Sequence, residues 1–133
     1  MQYVSTKICK TSDIGINDNL FGGAMLAWMD EAGGSLAATL CRTPNMITLK
    51  MSEVLFKLPV KVKEHIRFYG KPAAVGKSSI TLDIEARKVD LDRNLEETVC
   101  STRIIFVRVD GKGKATPMDA KAREHIKELI DKT

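Results

Sequence analysis

Apolar and polar residues change their period several times along the chain, and each change marks an element. Residues 2–9 alternate and predict a first strand; residues 12–20, with Ser12, Asp13, Gly15, Asn17, Asp18 and Asn19, predict a polar loop rich in turn formers. From about Gly22 to Leu40 or Cys41 the chain is apolar on every side and charged only at Asp30 and Glu31, which predicts one helix covered on most of its surface. Arg42 to Asn45, containing Pro44, predict a turn. Ile47, Leu49 and Met51 then alternate with Thr48, Lys50 and Ser52 in a strand that continues through Phe56 and breaks at Pro59. Residues 64–71 predict another strand. Ile80, Leu82, Ile84 and Ala86 alternate with Thr81, Asp83, Glu85 and Arg87, a strand with one wet face. Residues 98–109 are β-branched and apolar and end at the Asp110-Gly111 turn signal. In the tail, Thr116 as N-cap, Pro117 at the first helical position and Asp119 at the third predict a short helix. Its apolar stripe, Ala122, Ile126, Leu129 and Ile130, suits packing or an oligomer contact.

Neighbouring strands joined by short turns imply antiparallel pairing. One apolar helix with about five strands is then best satisfied by a single curved antiparallel sheet wrapped around the helix, an α+β arrangement. The other face of that sheet would be half exposed and available to a partner.

A chain of 133 residues fits one domain, 1–133, with the terminal helix inside 116–133, and is long enough to bury a core. Aromatic residues make up only 5%, so core and pocket fall to aliphatic residues and Met. The three cysteines, Cys9, Cys41 and Cys100, are odd in number and form no C-x-x-C, which argues against a disulfide framework or zinc knuckle. Free thiols fit a reducing cytoplasm, the expected location. Residues 1–10 alternate, unlike a signal peptide. Leu20 to Cys41 read as a membrane span would place Asp30 near the bilayer centre, at a cost of about 2.5–3.5 kcal/mol, so no span is expected. A net charge of +4 suits an anionic ligand such as a nucleotide or coenzyme A. The cations are spread without a long run, which argues against nucleic acid. His65 and His125 stand apart from any metal-ligating set.

The chemistry concentrates between Asn17 and Gly34. Gly22-Gly23 opens the helix, where free backbone N–H groups and the helix dipole can receive an oxyanion; a steric or turn requirement explains the same two glycines. Asp30 and Glu31 lie inside the apolar helix, so each is either a structural ion-pair member or a functional acid or base. Eight helical residues separate Gly22 from Asp30, about 12 Å at ~1.5 Å per residue. One substrate carbonyl cannot touch both on the same helix. If both serve one site, two copies must lie antiparallel across a two-fold axis, and the active unit is at least a dimer.

Asn17, then Phe21-Gly22-Gly23, then Asp30 among small residues resembles the signature of the hotdog-fold acyl-CoA thioesterases, in the branch of the bacterial short- and medium-chain enzymes and the cytosolic acyl-CoA hydrolases. The likeness continues at Ile47-Thr48, Phe56 to Val60, Gly76-Lys77-Ser78-Ser79 and Phe106 to Asp110, and covers roughly residues 3 to 118. Glu31 stands where an apolar residue is usual after the acid, and Phe21 where a related branch carries His. The resemblance implies a hotdog fold and hydrolysis of an acyl-CoA to free acid and CoA. Asp30 would act as general base or nucleophile, Gly22 and Gly23 of the facing protomer as oxyanion donors, and Asn17 as the group orienting water or polarising the carbonyl. Thr48, Lys57, Gly76, Lys77, Ser78 and Ser79 would contact substrate or CoA, with Lys57, Lys77 and Arg108 as phosphate partners. Met25, Trp28, Met29, Met51 and Phe56 could line the acyl tunnel or simply fill the core. No cofactor is implied beyond the CoA of the substrate itself, and homo-oligomers of hexamer or tetramer size are expected. The rival is a non-catalytic acyl-CoA-binding hotdog domain. A dehydratase of this fold would need a His near the helix, and none lies between residues 1 and 64.

Overall fold

The computed structural model describes residues 1–132; Thr133, the last residue of the expected domain, lies outside the described residues. Five strands, Gln2–Ile8 (β1), Met46–Phe56 (β2), His65–Val75 (β3), Ser79–Asp90 (β4) and Leu95–Arg108 (β5), form one antiparallel sheet in the order β1-β3-β4-β5-β2. The helix Gly22–Cys41 (α1) lies across its concave face, and Ala120–Asp131 (α2) follows β5. A 3-10 turn at Thr11–Asp13 leads into the loop before α1. This is the expected α+β hotdog arrangement, with β3, β4 and β5 longer than the sequence pattern indicated. No helix among the described residues is long and apolar enough to cross a membrane.

Alternation builds the core. Ile66 and Phe68 of β3, Ile80, Leu82, Ile84 and Ala86 of β4, and Ile104 and Phe106 of β5 are all buried against α1, which contributes Met25, Met29, Leu36, Ala37 and Leu40. The helix sits very close to the sheet because two glycines leave room for it. A Cβ on Gly33 would meet the Phe106 ring at 3.0 Å, and one on Gly70 would meet Leu36 Cδ2 at 2.6 Å. Register shifts within β1, β2, β3 and β4/β5 interrupt the ladders, and such bulges bend strands and raise twist, giving the sheet its curve. Pro72 is tolerated in β3 because β1 stops pairing at Gly70, which leaves that part of β3 an edge. There α2 covers it, with Ala122 and Ile126 buried.

As expected, α1 is covered on most of its surface; a single stripe, Gly23, Ala27, Glu31, Ser35 and Thr39, four residues apart, stays exposed. Two expectations need correction. First, the apolar phase at the start of β2 points away from the core, with Ile47 49% and Leu49 66% exposed. Second, α2 begins later than Thr116-Pro117 suggested. Thr116 N–H donates to Arg108 O and Met118 N–H to Lys77 O, so residues 116–118 run as an extended strap tied to the sheet. Asp119 is the true N-cap, its carboxylate accepting from Ala122 N–H at 2.9 Å.

Candidate functional site

Asp30 sits nine residues into α1, half-buried, on the side facing β2. The Thr48 hydroxyl donates to Asp30 Oδ1 at 2.6 Å. Among the described residues no cation pairs with Asp30. Glu31, one position on, turns the other way and pairs with Lys7 of β1 at 3.4 Å, its side chain 73% exposed. The two carboxylates that the sequence left equivalent are therefore different groups: Glu31 is a surface ion-pair member, and Asp30 is a carboxylate held by one hydroxyl. Thr48, expected among the substrate contacts, is a partner of the acid.

The start of α1 is open. Phe21 is the N-cap and supplies no side-chain hydrogen bond, and its carbonyl accepts from Ala24 and Met25 N–H. Gly22 and Gly23 occupy the first two helical positions, where N–H groups have no intrahelical acceptor. Gly23 is exposed; a Cβ there would meet the Phe21 ring at 2.7 Å, so the ring folds over a site that admits only glycine without adjustment. Gly22 borders an apolar cavity of about 350 Å³ shared with Leu20, Met25, Phe56, Leu58 and Cys100. Met25 and Phe56 thus line this cavity. Met29 is fully buried, Trp28 packs edge-on against Phe68, and Met51 packs against the core. Asn17 lies in the loop closed by Gly15 N–H to Asn19 O and by the Ile14–Leu20 bridge; it is exposed, and among the described residues no hydrogen bond engages its side chain. Within one chain Asp30 does not border the cavity at the helix start.

Gly76, Lys77, Ser78 and Ser79 form the tight turn between β3 and β4, closed by Gly76 N–H to Ser79 O at 2.8 Å. A Cβ on Gly76 would meet Ser79 Oγ at 2.8 Å, so glycine allows the turn to close. The carbonyls of Lys77 and Ser78 are taken by Met118 and Arg108 N–H. Arg108, expected to meet phosphate, spends Nη1 on Pro117 O at 3.3 Å and leaves Nε buried without a partner among the described residues. Lys57 stands at the other end of the sheet, beyond Phe56, whereas Met46 at the near end of β2 pairs with Arg108. At ~3.3 Å per residue, β2 spans roughly 30 Å. One chain therefore does not bring Lys57 and Lys77 to the same phosphate.

Other reactive side chains lie outside this arrangement. Burial pushes the Cys41 and Cys100 thiols up to about 11, and Cys9 is also raised by burial, so all three are neutral near pH 7. His65 lies at the start of β3 and His125 is exposed on α2. No group of three or more metal-ligating side chains occurs among the described residues.

The model of the thioesterase superfamily matches residues 17–93, a span that holds Asn17, the helix start, Asp30, Thr48 and the β3–β4 turn. An uncharacterized acyl-CoA thioester hydrolase of Buchnera aphidicola (subsp. Schizaphis graminum) is 30% identical over 107 residues, covering 77% of this chain and 78% of its own length. The uncharacterized acyl-CoA thioester hydrolase YkhA of Bacillus subtilis is 27% identical over 130 residues, or 94% of this chain and 75% of that protein. Among solved structures, Cj0915, a hexameric hotdog fold thioesterase of Campylobacter jejuni, superposes with a TM-score of 0.80 at 29% identity, covering 98% of this chain and 97% of that one. With its helix-wrapping sheet and this match across more than half its length, the chain belongs to the thioesterase superfamily.

Proposed function

We propose that this chain is an acyl-CoA thioester hydrolase whose reaction runs between Asp30 of one protomer and the start of α1 of another. The observation that carries the reading is the Asp30 carboxylate, held by the Thr48 hydroxyl and free of any cationic partner among the described residues. A carboxylate in that state can take a proton from water as it attacks the thioester carbonyl. The tetrahedral oxyanion is received by the Gly22 and Gly23 N–H groups of the facing helix, donors of a kind typically worth about 10²–10³ in rate. Asn17 orients the water from its loop. The thiolate of CoA leaves without a strong general acid. The apolar space beside Gly22, reaching Met25, Phe56 and Cys100, takes the acyl chain.

A second copy supports this geometry. The outer edge of β2 is unpaired and exposes Ile47, Leu49, Leu55 and Phe56, a combination that a soluble protein covers. Pairing two β2 edges about a two-fold axis lays the two α1 helices antiparallel and faces each helix start toward the other Asp30. The hexameric state of Cj0915 suggests further assembly of such dimers.

The test is release of free thiol from a panel of acyl-CoAs. Wild-type protein should turn over at least one of them, and Asp30→Ala should reduce turnover to background while CoA still binds by calorimetry. Undiminished turnover by Asp30→Ala would remove this side chain from the reaction. Binding without turnover in the wild type would favour an acyl-CoA-binding module instead.

A further inference from the structure

Phe21 stands at the N-cap of α1, a position that favours Ser, Thr, Asp or Asn because an oxygen there caps the N–H of the second or third helical residue. In α1 those residues are Gly23 and Ala24. Ala24 N–H already donates to Phe21 O at 2.9 Å, so an oxygen on the side chain at position 21 would be drawn to Gly23 N–H. A hydrocarbon ring offers no oxygen for that bond. Among the described residues no group accepts from Gly22 or Gly23 N–H. The side chain that forgoes the cap therefore keeps both donors open.

The ring also has a fixed place, although it is 61% exposed. A Cβ on Gly15 would meet Phe21 Cδ1 at 3.3 Å, and one on Gly23 would meet Phe21 Cε2 at 2.7 Å. Cδ1 and Cε2 are opposite corners of the ring. It is thus wedged between two glycines, one in the loop and one at the helix start, and each position makes room for it by lacking a side chain. The backbone around it is held from both sides. Phe21 N–H donates to Asp13 O at 2.9 Å, and Leu20 N–H donates to Val60 O at 2.8 Å. Gly15 in turn donates to Asn19 O, and its carbonyl accepts from Asp18 N–H at 3.3 Å. Asn17 lies inside these bonds, two positions from the glycine on which the ring rests. The separation of Asn17 from the donors is therefore set across the Phe21 ring.

We infer that Phe21 is a positioning residue for the hydrolysis: its ring leaves the helix start uncapped for the oxyanion and spaces the Asn17 loop from the Gly22 and Gly23 donors. This inference rests on the thioester-hydrolase reading and adds to it a side chain that acts through its neighbours, without itself exchanging a proton or forming a bond.

Wild type, Phe21→Leu, Phe21→Tyr and Phe21→Asp are compared as full-length chains by thiol release from acyl-CoA and by urea unfolding. Phe21→Leu removes the wedge and should lower kcat about tenfold with little change in KM or in the urea midpoint, since the ring is exposed. Phe21→Tyr keeps both ring edges and should restore kcat. Phe21→Asp caps Gly23 N–H and sets a negative charge where the oxyanion forms. Its kcat should fall about 100-fold or more while the urea midpoint holds or rises. In an Asn17→Ala background Phe21→Leu should cost little further, because the two side chains act as a unit. Wild-type kcat in Phe21→Leu or Phe21→Asp, a loss in either that tracks a falling urea midpoint, or full additivity with Asn17→Ala overturns the inference. Amide hydrogen exchange separates it from the hydrolase reading. Faster exchange at residues 15–19 in Phe21→Leu supports the wedge whether or not any acyl-CoA is turned over, and unchanged exchange overturns it. A wild type that releases no thiol defeats the hydrolase reading, and exchange alone then decides the wedge.

Discussion

Asp30 and Glu31 show how one residue step decides chemistry. Successive residues on an α-helix point about 100° apart, so adjacent carboxylates cannot share an environment. Glu31 is carried toward Lys7 on β1 and Asp30 toward Thr48 on β2. The sequence could show two acids in an apolar helix; which one faced the sheet's open edge depended on the roll of α1, and that roll is fixed by Gly33 packing on Phe106. Thr48 was legible as polar but not as a partner of Asp30, since the contact spans 18 residues and two elements. Under the proposed reaction its hydroxyl positions the acid. One hydroxyl donor orients the carboxylate, so Thr48→Val should lower kcat about tenfold or more with little change in KM, and Thr48→Ser should restore it. Steady-state thiol-release kinetics on the three proteins check this. A Thr48→Val enzyme with unchanged kcat would show that the hydroxyl has no positioning role.

Elements were legible where this chain alone buries them. The alternation Ile80, Leu82, Ile84, Ala86 marked the inner face of β4 because α1 covers it. The same rule misled at β2, whose Ile47 and Leu49 face outward and whose bulges shift phase between Thr48 and Lys50 and again between Ser52 and Leu55. The start of α2 was misplaced because good helix-start chemistry at Thr116-Pro117 lost to backbone hydrogen bonds with the sheet. On the convex face, charge is organised across strands. Arg67 and Arg87 stand directly opposite each other, an unfavourable pair alone. Glu96 joins them, accepting from Arg67 Nη1 at 3.1 Å, Arg87 Nη1 at 3.4 Å and the Tyr69 hydroxyl at 2.5 Å, while Arg87 stacks over the Tyr69 ring. The Tyr69 hydrogen bond, then those of the two arginines, holds the Glu96 carboxyl below the usual carboxylate range. A carboxyl lowered in the folded state contributes stability above its unfolded pKa and loses it as pH falls through the folded value. Glu96→Gln should therefore cost about 1 kcal/mol near neutral pH, with the network partly solvent-screened. The gap to wild type should close as pH falls below the ordinary carboxylate range. Urea unfolding at neutral and acidic pH measures both, and a pH-independent gap would mean the cost comes from packing instead.

At the scale of the molecule, the exposed features of one chain complete each other. The helix start has free donors, Asp30 does not border the cavity beside them, and about 12 Å of helix separates the two. β2 offers an open edge beside both. The proposed two-fold pairing makes a sharp kinetic statement. Asp30→Ala removes the acid from every site, and Gly23→Val, whose Cβ already meets the Phe21 ring, blocks the donor end of every site. Each variant alone should be inactive. In a heterodimer of the two, one site contains both lesions and the other contains neither. Random reassortment of an equal mixture gives heterodimers as half of all dimers, each with one of its two sites intact, so about a quarter of wild-type activity should return. The measurement is thiol release after the two variants are unfolded together and refolded as a mixture, set against the same treatment of each alone. Recovery confined to the mixture requires that the acid and the donors of a working site come from different chains. A mixture as inactive as its components would place both on one chain, and the distance along α1 would then exclude them from sharing a carbonyl.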